Sequence, residues 1–362
     1  MATFPLPPAS TIGILGGGQL GRMLAMAAGR LGFDVAILEP EADSPAGRVA
    51  AHVIAKPYDD PAGLKALADL SDVITFEFEN VPAEVVAKLQ ALGCEVAPGP
   101  LALATAQDRV DEKSFMLGIG VETVAFEPIE TIEDILTAIP ELDVPALLKT
   151  RREGYDGKGQ MWVHDAQEAE AAFTKIGGKA AIMEARADFV RELSVICARG
   201  RDGAVAVYPL AENVHEHGIL RRSLAPAPRV SNATRKSAED IAHAILAGLD
   251  YVGVLAVELF ELKDGRLLVP ALTHRVHNSG HWTLDGCEVD QFEQHIRAIA
   301  GWPLGPTHAI AETEMVNLIG DEAHDWPALA ADPSARVWLY GKREARSGRK
   351  MGHVNRLKLP RG

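Results

Sequence analysis

Glu258 lies in an otherwise apolar run, VLAVELF, that leads to Asp264-Gly265 and a second apolar run. A lone carboxylate on a buried strand is costly unless it is paired or holds a cation. If Asp264-Gly265 is the two-residue turn of a hairpin, Lys263 pairs with Arg266, and the count along both strands sets Glu258 opposite Ala271. Arg275, His277, Asn278 and Ser279 follow directly. Such a cluster suits an anionic ligand, and Arg275 and His277, two positions apart, project to one face of an extended chain. A plain core hairpin with one exposed glutamate accounts for the same residues taken alone.

Two glycine-rich stretches could cradle phosphates. Lys149-Thr150-Arg151-Arg152-Glu153-Gly154-Tyr155-Asp156-Gly157-Lys158-Gly159-Gln160 lies between two strands. Its glycines let a loop fold closely over phosphate oxygens, and Lys149 and Lys158 supply charge. No G-K-[ST] precedes a helix, so it is not a Walker loop, and a solvated basic turn is the alternative. Gly16-Gly17-Gly18-Gln19-Leu20-Gly21 follows a strand and opens a helix, with Glu39 ending the next strand, which is the pattern of a dinucleotide site. Its amides would serve any phosphate-bearing ligand, and a tight turn needs glycines with no ligand at all. Glu184, Arg186, Glu192 and His215 are ordinary strand-end or loop residues by themselves. Lys342, Arg343, Arg346, Arg349 and Lys350 gather near the C-terminus, where a solvated loop and a phosphate contact are both open.

These groups need a scaffold. From Thr11 the order strand, glycine turn, helix, strand makes a parallel β-α-β unit. A helix from Pro61 to Leu70, a strand over 73–79, a helix from Pro82 to Leu92 and a short strand over 94–99 extend it to an open doubly wound sheet. Helices near 102–118 and 131–139 precede the strands that flank the basic glycine loop. Beyond a helix at 166–176 comes a β-rich region, with helices at 237–249 and 289–299 around the Glu258 hairpin and strands near 313–319 and 336–341. A chain of 362 residues, 47% hydrophobic and 24% charged, fits two or three globular domains. Its net charge of −14 argues against a general nucleic-acid binder while leaving room for a local basic pocket. No window has bilayer-spanning apolar length, and the start lacks the basic and apolar regions of a signal peptide, so neither membrane insertion nor export is expected. Cys94, Cys197 and Cys287, odd in number and far apart, fit reduced thiols of a cytoplasmic protein.

Taken in order, GGGQLGRMLA, TFEFENVP, ATAQDR, GYDGKGQ, ENVH, GVLAVE, RVHNSGHWT with QFEQH, and GRKMGHV make the chain similar to the N5-carboxyaminoimidazole ribonucleotide synthetases of the ATP-grasp superfamily. The resemblance implies an α/β ATP-grasp fold. Its parts would be an N-terminal doubly wound, Rossmann-like domain (1–110), a small lid (111–185) and a C-terminal ATP-grasp domain with a small β-rich tail (186–362). It implies ATP- and bicarbonate-dependent carboxylation of 5-aminoimidazole ribonucleotide through carboxyphosphate, and a cytoplasmic homodimer. Arg109, Lys149, Glu153 to Gly159, Glu184, Ala185, Arg186, Ala187, Glu192, His215, Pro270 and Ala271 fall on the family's ATP-contacting positions. Arg275, His277, Lys342 and Tyr155 would carry the chemistry. Gly18, Gln19, Leu20, Glu77, Asn278, Ser279 and Arg349 would meet the ribonucleotide, and Glu258 would hold Mg²⁺.

The chain departs from the family at 270–274. Pro270-Ala271-Leu272-Thr273-His274 stands where the family has Asn-Glu-Ile-Ala-Pro, so the second metal carboxylate is replaced by Ala271. Glu153, Arg222 and Leu224 are smaller departures. The expectation is a ligase slowed at phosphoryl transfer. Its rivals are an ATP-grasp homologue that only binds nucleotides and, from the Gly16–Gly21 turn, a nicotinamide-dependent oxidoreductase.

Overall fold

A computed structural model describes residues 2–79, 81–152 and 159–358. The apolar runs before and after the Gly16–Gly21 turn become β1 (Thr11–Leu15) and β2 (Asp34–Leu38), joined by β3 (His52–Ile54) and β4 (Val73–Phe76) in a parallel sheet of order β3-β2-β1-β4. Residues 94–99 add only one bridge, Val96 with Ile74, rather than a strand. Pro98 and Gly99 turn the chain there into the helix Pro100–Gln107.

A second sheet joins β5 (Phe126–Ile129), β6 (Ala146–Thr150), β7 (Gln160–Val163) and β8 (Ala181–Ala185) in the order β5-β8-β6-β7. The sequence reading missed β5, whose Pro128 is tolerated because the strand lies at the edge. The third sheet holds β9 (Phe189–Arg199), β10 (Val205–Val207), β11 (Ala211–Glu216), β12 (Ile219–Ala225), β13 (Gly253–Leu262), β14 (Leu267–Leu268), β15 (Leu272–Thr273), β16 (Glu312–Ile319), β17 (Ala335–Leu339) and β18 (Lys350–Lys358). The C-terminal cations therefore do not form a terminal loop throughout: Lys350 opens β18, which pairs with β16 on one side and β17 on the other.

The Glu258 hairpin corrects one expectation and keeps its consequence. Leu262 N–H donates to Arg266 O at 2.9 Å and Gly265 has φ +84°, so the loop has three residues and Lys263 does not pair with Arg266. The first pairs are Phe260 with Leu268 and Glu261 with Leu267. An extra residue then enters the second strand at 269–270, where Val269 N–H turns to Glu122 O at 2.9 Å and Pro270 has no N–H to offer. The two offsets cancel. Glu258 N–H donates to Ala271 O at 3.0 Å, so Glu258 does face Ala271.

Among the described residues, no helix is long and apolar enough to cross a membrane.

Candidate active site

The Gly16–Gly21 turn is filled from within. Gly17 N–H donates to Glu39 Oε2 at 2.7 Å, and Gly18 and Gly21 N–H donate to the two oxygens of Glu77 at 2.9 and 3.1 Å. Tyr58 adds a bond to Glu39 Oε2 at 2.5 Å. A helix N-terminus that would attract a pyrophosphate is thus occupied by the chain's own carboxylates. This removes the observation on which a nicotinamide site rested. Burial pushes the Glu77 carboxyl up. Gln19 opens the helix Gln19–Arg30, while the Leu20 side chain is buried in the core.

Lys149 and Glu184 come from adjacent antiparallel strands, β6 and β8. Lys149 Nζ lies 2.6 Å from Glu184 Oε2, and Lys113 Nζ lies 3.3 Å from Glu184 Oε1. Burial works to raise the Glu184 carboxyl, but the two ammonium groups outweigh it and hold it below the usual range. Lys113 is buried and also donates to Thr123 Oγ1 at 3.1 Å and Pro270 O at 3.0 Å. Next to it, burial lifts Glu112 to about 7 although its Oε1 accepts Leu272 N–H at 2.6 Å. Arg109 N–H donates to Arg151 O at 3.1 Å, and its charge helps to lower Glu184 and Glu79. Glu153, Gly154, Tyr155, Asp156, Gly157 and Lys158 lie outside the described residues. Gly159 has φ +70°, and a Cβ there would come within 2.8 Å of Thr150 Oγ1. Past the Glu184 strand, Ala185 N–H is taken by Ala125 O at 2.9 Å, Arg186 pairs with Asp188 at 3.1 Å, and Ala187 is half-buried. Glu192 on β9 is hydrogen-bonded to His215 on β11. Burial lowers His215, but that bond prevails and raises it.

Facing these groups, Arg275 pairs with Glu79 at the exit of β4. Burial raises Glu79, but the Arg275 guanidinium, with help from Arg109, more than reverses it. His277 is neutral, its ring pushed down to about 3 by burial and by Arg275 and Lys350, and its Nε2 lies 3.9 Å from Glu258 Oε1. Burial raises the Glu258 carboxyl; His215 opposes this while Glu192 and Glu79 add to it. The Asn278 amide is engaged reciprocally with Asn317, at 3.0 and 2.7 Å, and Ser279 Oγ lies 2.8 Å from His277 Nδ1. Lys342 Nζ donates to Lys350 O at 2.7 Å, and Arg349 donates to Glu344 O at 3.1 Å.

Against known proteins, residues 9–107 match the ribonucleotide synthetase preATP-grasp domain, 114–292 the ATP-grasp domain and 313–359 the phosphoribosylaminoimidazole carboxylase C-terminal domain. The N5-carboxyaminoimidazole ribonucleotide synthase of Brucella melitensis is 51% identical over 98% of both chains. This chain belongs to the N5-carboxyaminoimidazole ribonucleotide synthase family. A crystal structure of an ADP complex of one synthetase superposes with TM-score 0.94 at 39% identity, covering 98% of this chain and 93% of the other. The Aspergillus clavatus synthase in complex with ADP and 5-aminoimidazole ribonucleotide gives TM-score 0.91 at 30% identity, over 97% of this chain and 94% of the other.

The synthase family implies a magnesium ion, and the groups around Glu258 do not fit one held by two carboxylates. Ala271 brings no side-chain oxygen, its carbonyl accepts from Glu258 N–H, and the Pro270 carbonyl accepts from Lys113. Among the described residues no cluster of three or more His, Cys, Asp or Glu is placed to hold a metal. Sequence reasoning missed Lys113, Glu112 and Glu79. Glu112, Lys113 and Met116 share one buried stripe of the helix Arg109–Gly118, and a Glu-Lys pair in a stripe otherwise meant for the core was the available signal. Glu77 and Glu79, at i and i+2 beyond β4, leave the sheet on one side, and the first reaches the glycine turn while the second reaches Arg275.

Proposed function

We propose that this chain is an ATP-dependent carbon–nitrogen ligase that carboxylates the amino group of 5-aminoimidazole ribonucleotide in purine biosynthesis. A bicarbonate oxygen attacks the γ-phosphorus of ATP, releasing ADP and forming carboxyphosphate. The amino nitrogen then attacks the carboxyl carbon, and phosphate leaves with the bonding pair. The supporting observation is the gathering of these groups: Lys149 pairs with Glu184 and is near enough to influence the Glu258 carboxyl, His277 Nε2 lies 3.9 Å from Glu258 Oε1, and Arg275 pairs with Glu79.

In this reading Lys149 and the loop 153–159 hold the phosphates. Arg109, Glu184 to Ala187, Glu192, His215 and the 270–271 backbone surround the nucleotide. Arg275, His277, Lys342 and Tyr155 face the carboxyphosphate, and Arg275 is released from Glu79 by the incoming anion. Gly18 to Leu20, Glu77 and Arg349 border the ribonucleotide, with Asn278 and Ser279 shaping that wall through their internal bonds. The three parts, 1–110, 111–185 and 186–362, supply the ribonucleotide side, the lid and the ATP side of a cytoplasmic homodimer. Magnesium binds this chain's own residues weakly because Glu258 has no carboxylate partner, and turnover is slow. A second reading, a homologue that binds ATP without turning it over, draws on the same Ala271. Measuring ADP release with ATP, bicarbonate and aminoimidazole ribonucleotide decides between them. Release that requires the ribonucleotide supports the ligase, whereas ATP binding without such release supports the second reading.

A further inference from the structure

We infer that a directional chain of hydrogen bonds through Ser223, Asn213, Ser194 and Ser279 locks His277 in the tautomer with its proton on Nε2, making the ring a hydrogen-bond donor on the side of Glu258. Only the use made of that donor rests on the ligase reading. The four residues are buried and come from three neighbouring strands, β12, β11 and β9, and the short turn after His277. Ser223 Oγ donates to Asn213 Oδ1 at 2.7 Å, Asn213 Nδ2 donates to Ser194 Oγ at 2.9 Å, and Ser194 Oγ donates to Ser279 Oγ at 2.8 Å. The one proton left to Ser279 Oγ then points to His277 Nδ1, 2.8 Å away.

A hydroxyl chain can in principle run backwards with the Asn213 amide flipped, and Nδ1 would then be the donor. The backbone breaks the symmetry. Ser279 N–H also faces His277 Nδ1, at 3.4 Å, and an amide cannot reverse its polarity. With both neighbours donating, Nδ1 is an acceptor and the proton of the neutral ring sits on Nε2. That atom lies 3.9 Å from Glu258 Oε1, beyond direct hydrogen bonding, and Ser194 is the register partner of Glu258 on the adjacent strand. One sheet face therefore carries both the lock and the carboxylate. In the ligase reading Nε2–H binds an oxygen of the carboxyphosphate; Ser279, Ser194, Asn213 and Ser223 are positioning residues that act through His277.

Nitrogen-15 NMR of histidine-labelled protein at neutral pH tests the lock, with the His277 signals assigned by their loss in His277→Gln. Nδ1 is expected bare and Nε2 protonated, and a predominantly Nδ1-protonated ring overturns the proposal. Asn213→Asp gives both serines an acceptor, turns the Ser194 proton away from Ser279 and is expected to move the ring toward the Nδ1–H form. Ser279→Ala removes the hydroxyl without adding a buried charge, keeps the proposal testable should the first variant not fold, and is expected to yield mixed tautomers. A ring that stays wholly Nε2–H in every folded variant overturns the relay. In both variants kcat should fall about tenfold with KM for ATP little changed, as for a weakened transition-state hydrogen bond. A shifted tautomer with unchanged kcat overturns the donor role. If the unaltered chain shows no ribonucleotide-dependent turnover, the ligase reading fails while the spectra still decide the tautomer.

Discussion

Glu184 on β8 and Glu258 on β13 are the same residue type, yet their surroundings push the two carboxyls in opposite directions. Glu184 sits between Lys149 and Lys113 and is held ionised despite burial. Glu258 faces Ala271, with a neutral His277 at 3.9 Å, and burial prevails to raise it. A carboxylate matched by the chain's own cations is part of the structure. One left without them is available to a proton or a guest cation, and it costs the fold something to keep.

The largest effect should come from disturbing the balanced carboxylate. Glu184→Gln leaves buried Lys113 and its neighbour without their counter-charge and should cost about 3–5 kcal/mol in denaturant unfolding of the nucleotide-free protein. Glu258→Gln in the same assay should stay within about 1 kcal/mol of the parent, or stabilise it. Equal losses at the two positions would break the comparison. Next in size, Lys149→Ala should weaken ATP binding by about 1.5–3 kcal/mol in calorimetry, the scale of a lost charged hydrogen bond. Unchanged affinity would leave Lys149 as a partner of Glu184 and nothing more.

His295 extends the comparison to a buried base with no counter-charge. Its Nδ1 accepts Val254 N–H at 3.1 Å and its Nε2 meets Thr75 Oγ1 at 2.8 Å. Burial lowers the ring from 6.5 to about 3. The unfolded chain therefore takes up the proton first, and the contribution is present above the unfolded value and lost as pH falls through the window down to about 3. By pH 5 the loss should reach about 2 kcal/mol from this residue. His295→Gln should flatten the acid limb of stability by about one proton's worth, and an unchanged pH slope would mean that the ring is already charged in the fold.

The smallest change tests the unbalanced side. Replacing Pro270 by Asn and Ala271 by Glu together should raise ribonucleotide-dependent ADP formation at least about tenfold at saturating magnesium, about 1.4 kcal/mol of barrier. Equal rates would mean that another group already does what Glu258 lacks a partner for.

Much of this was legible in the chain because it is written locally. Apolar runs bounded by Gly, Pro and Asp located most strands and helices, as in Pro61–Leu70 and Ala146–Thr150. The edge strands β3 and β5 and the cation-bearing β12 and β18 were missed, since three or four residues, or a run broken by cations, give little alternation to read. The site divides in the same way. Glu192 and His215 were both named from motifs but not as a pair, and Arg275 pairs with Glu79, an acid that was not named at all.

The sequence by itself determined the order of elements, the family and the juxtaposition of Glu258 with Ala271, because a hairpin count is a short-range property and two one-residue offsets happened to cancel. Tertiary structure decided which carboxylates are neutralised, that Glu39 and Glu77 fill the Gly16–Gly21 amides, and which ring nitrogen of His277 bears the proton. Each of these depends on groups from strands and helices distant in sequence, and sheet order together with burial sets which of them meet and how strongly they interact.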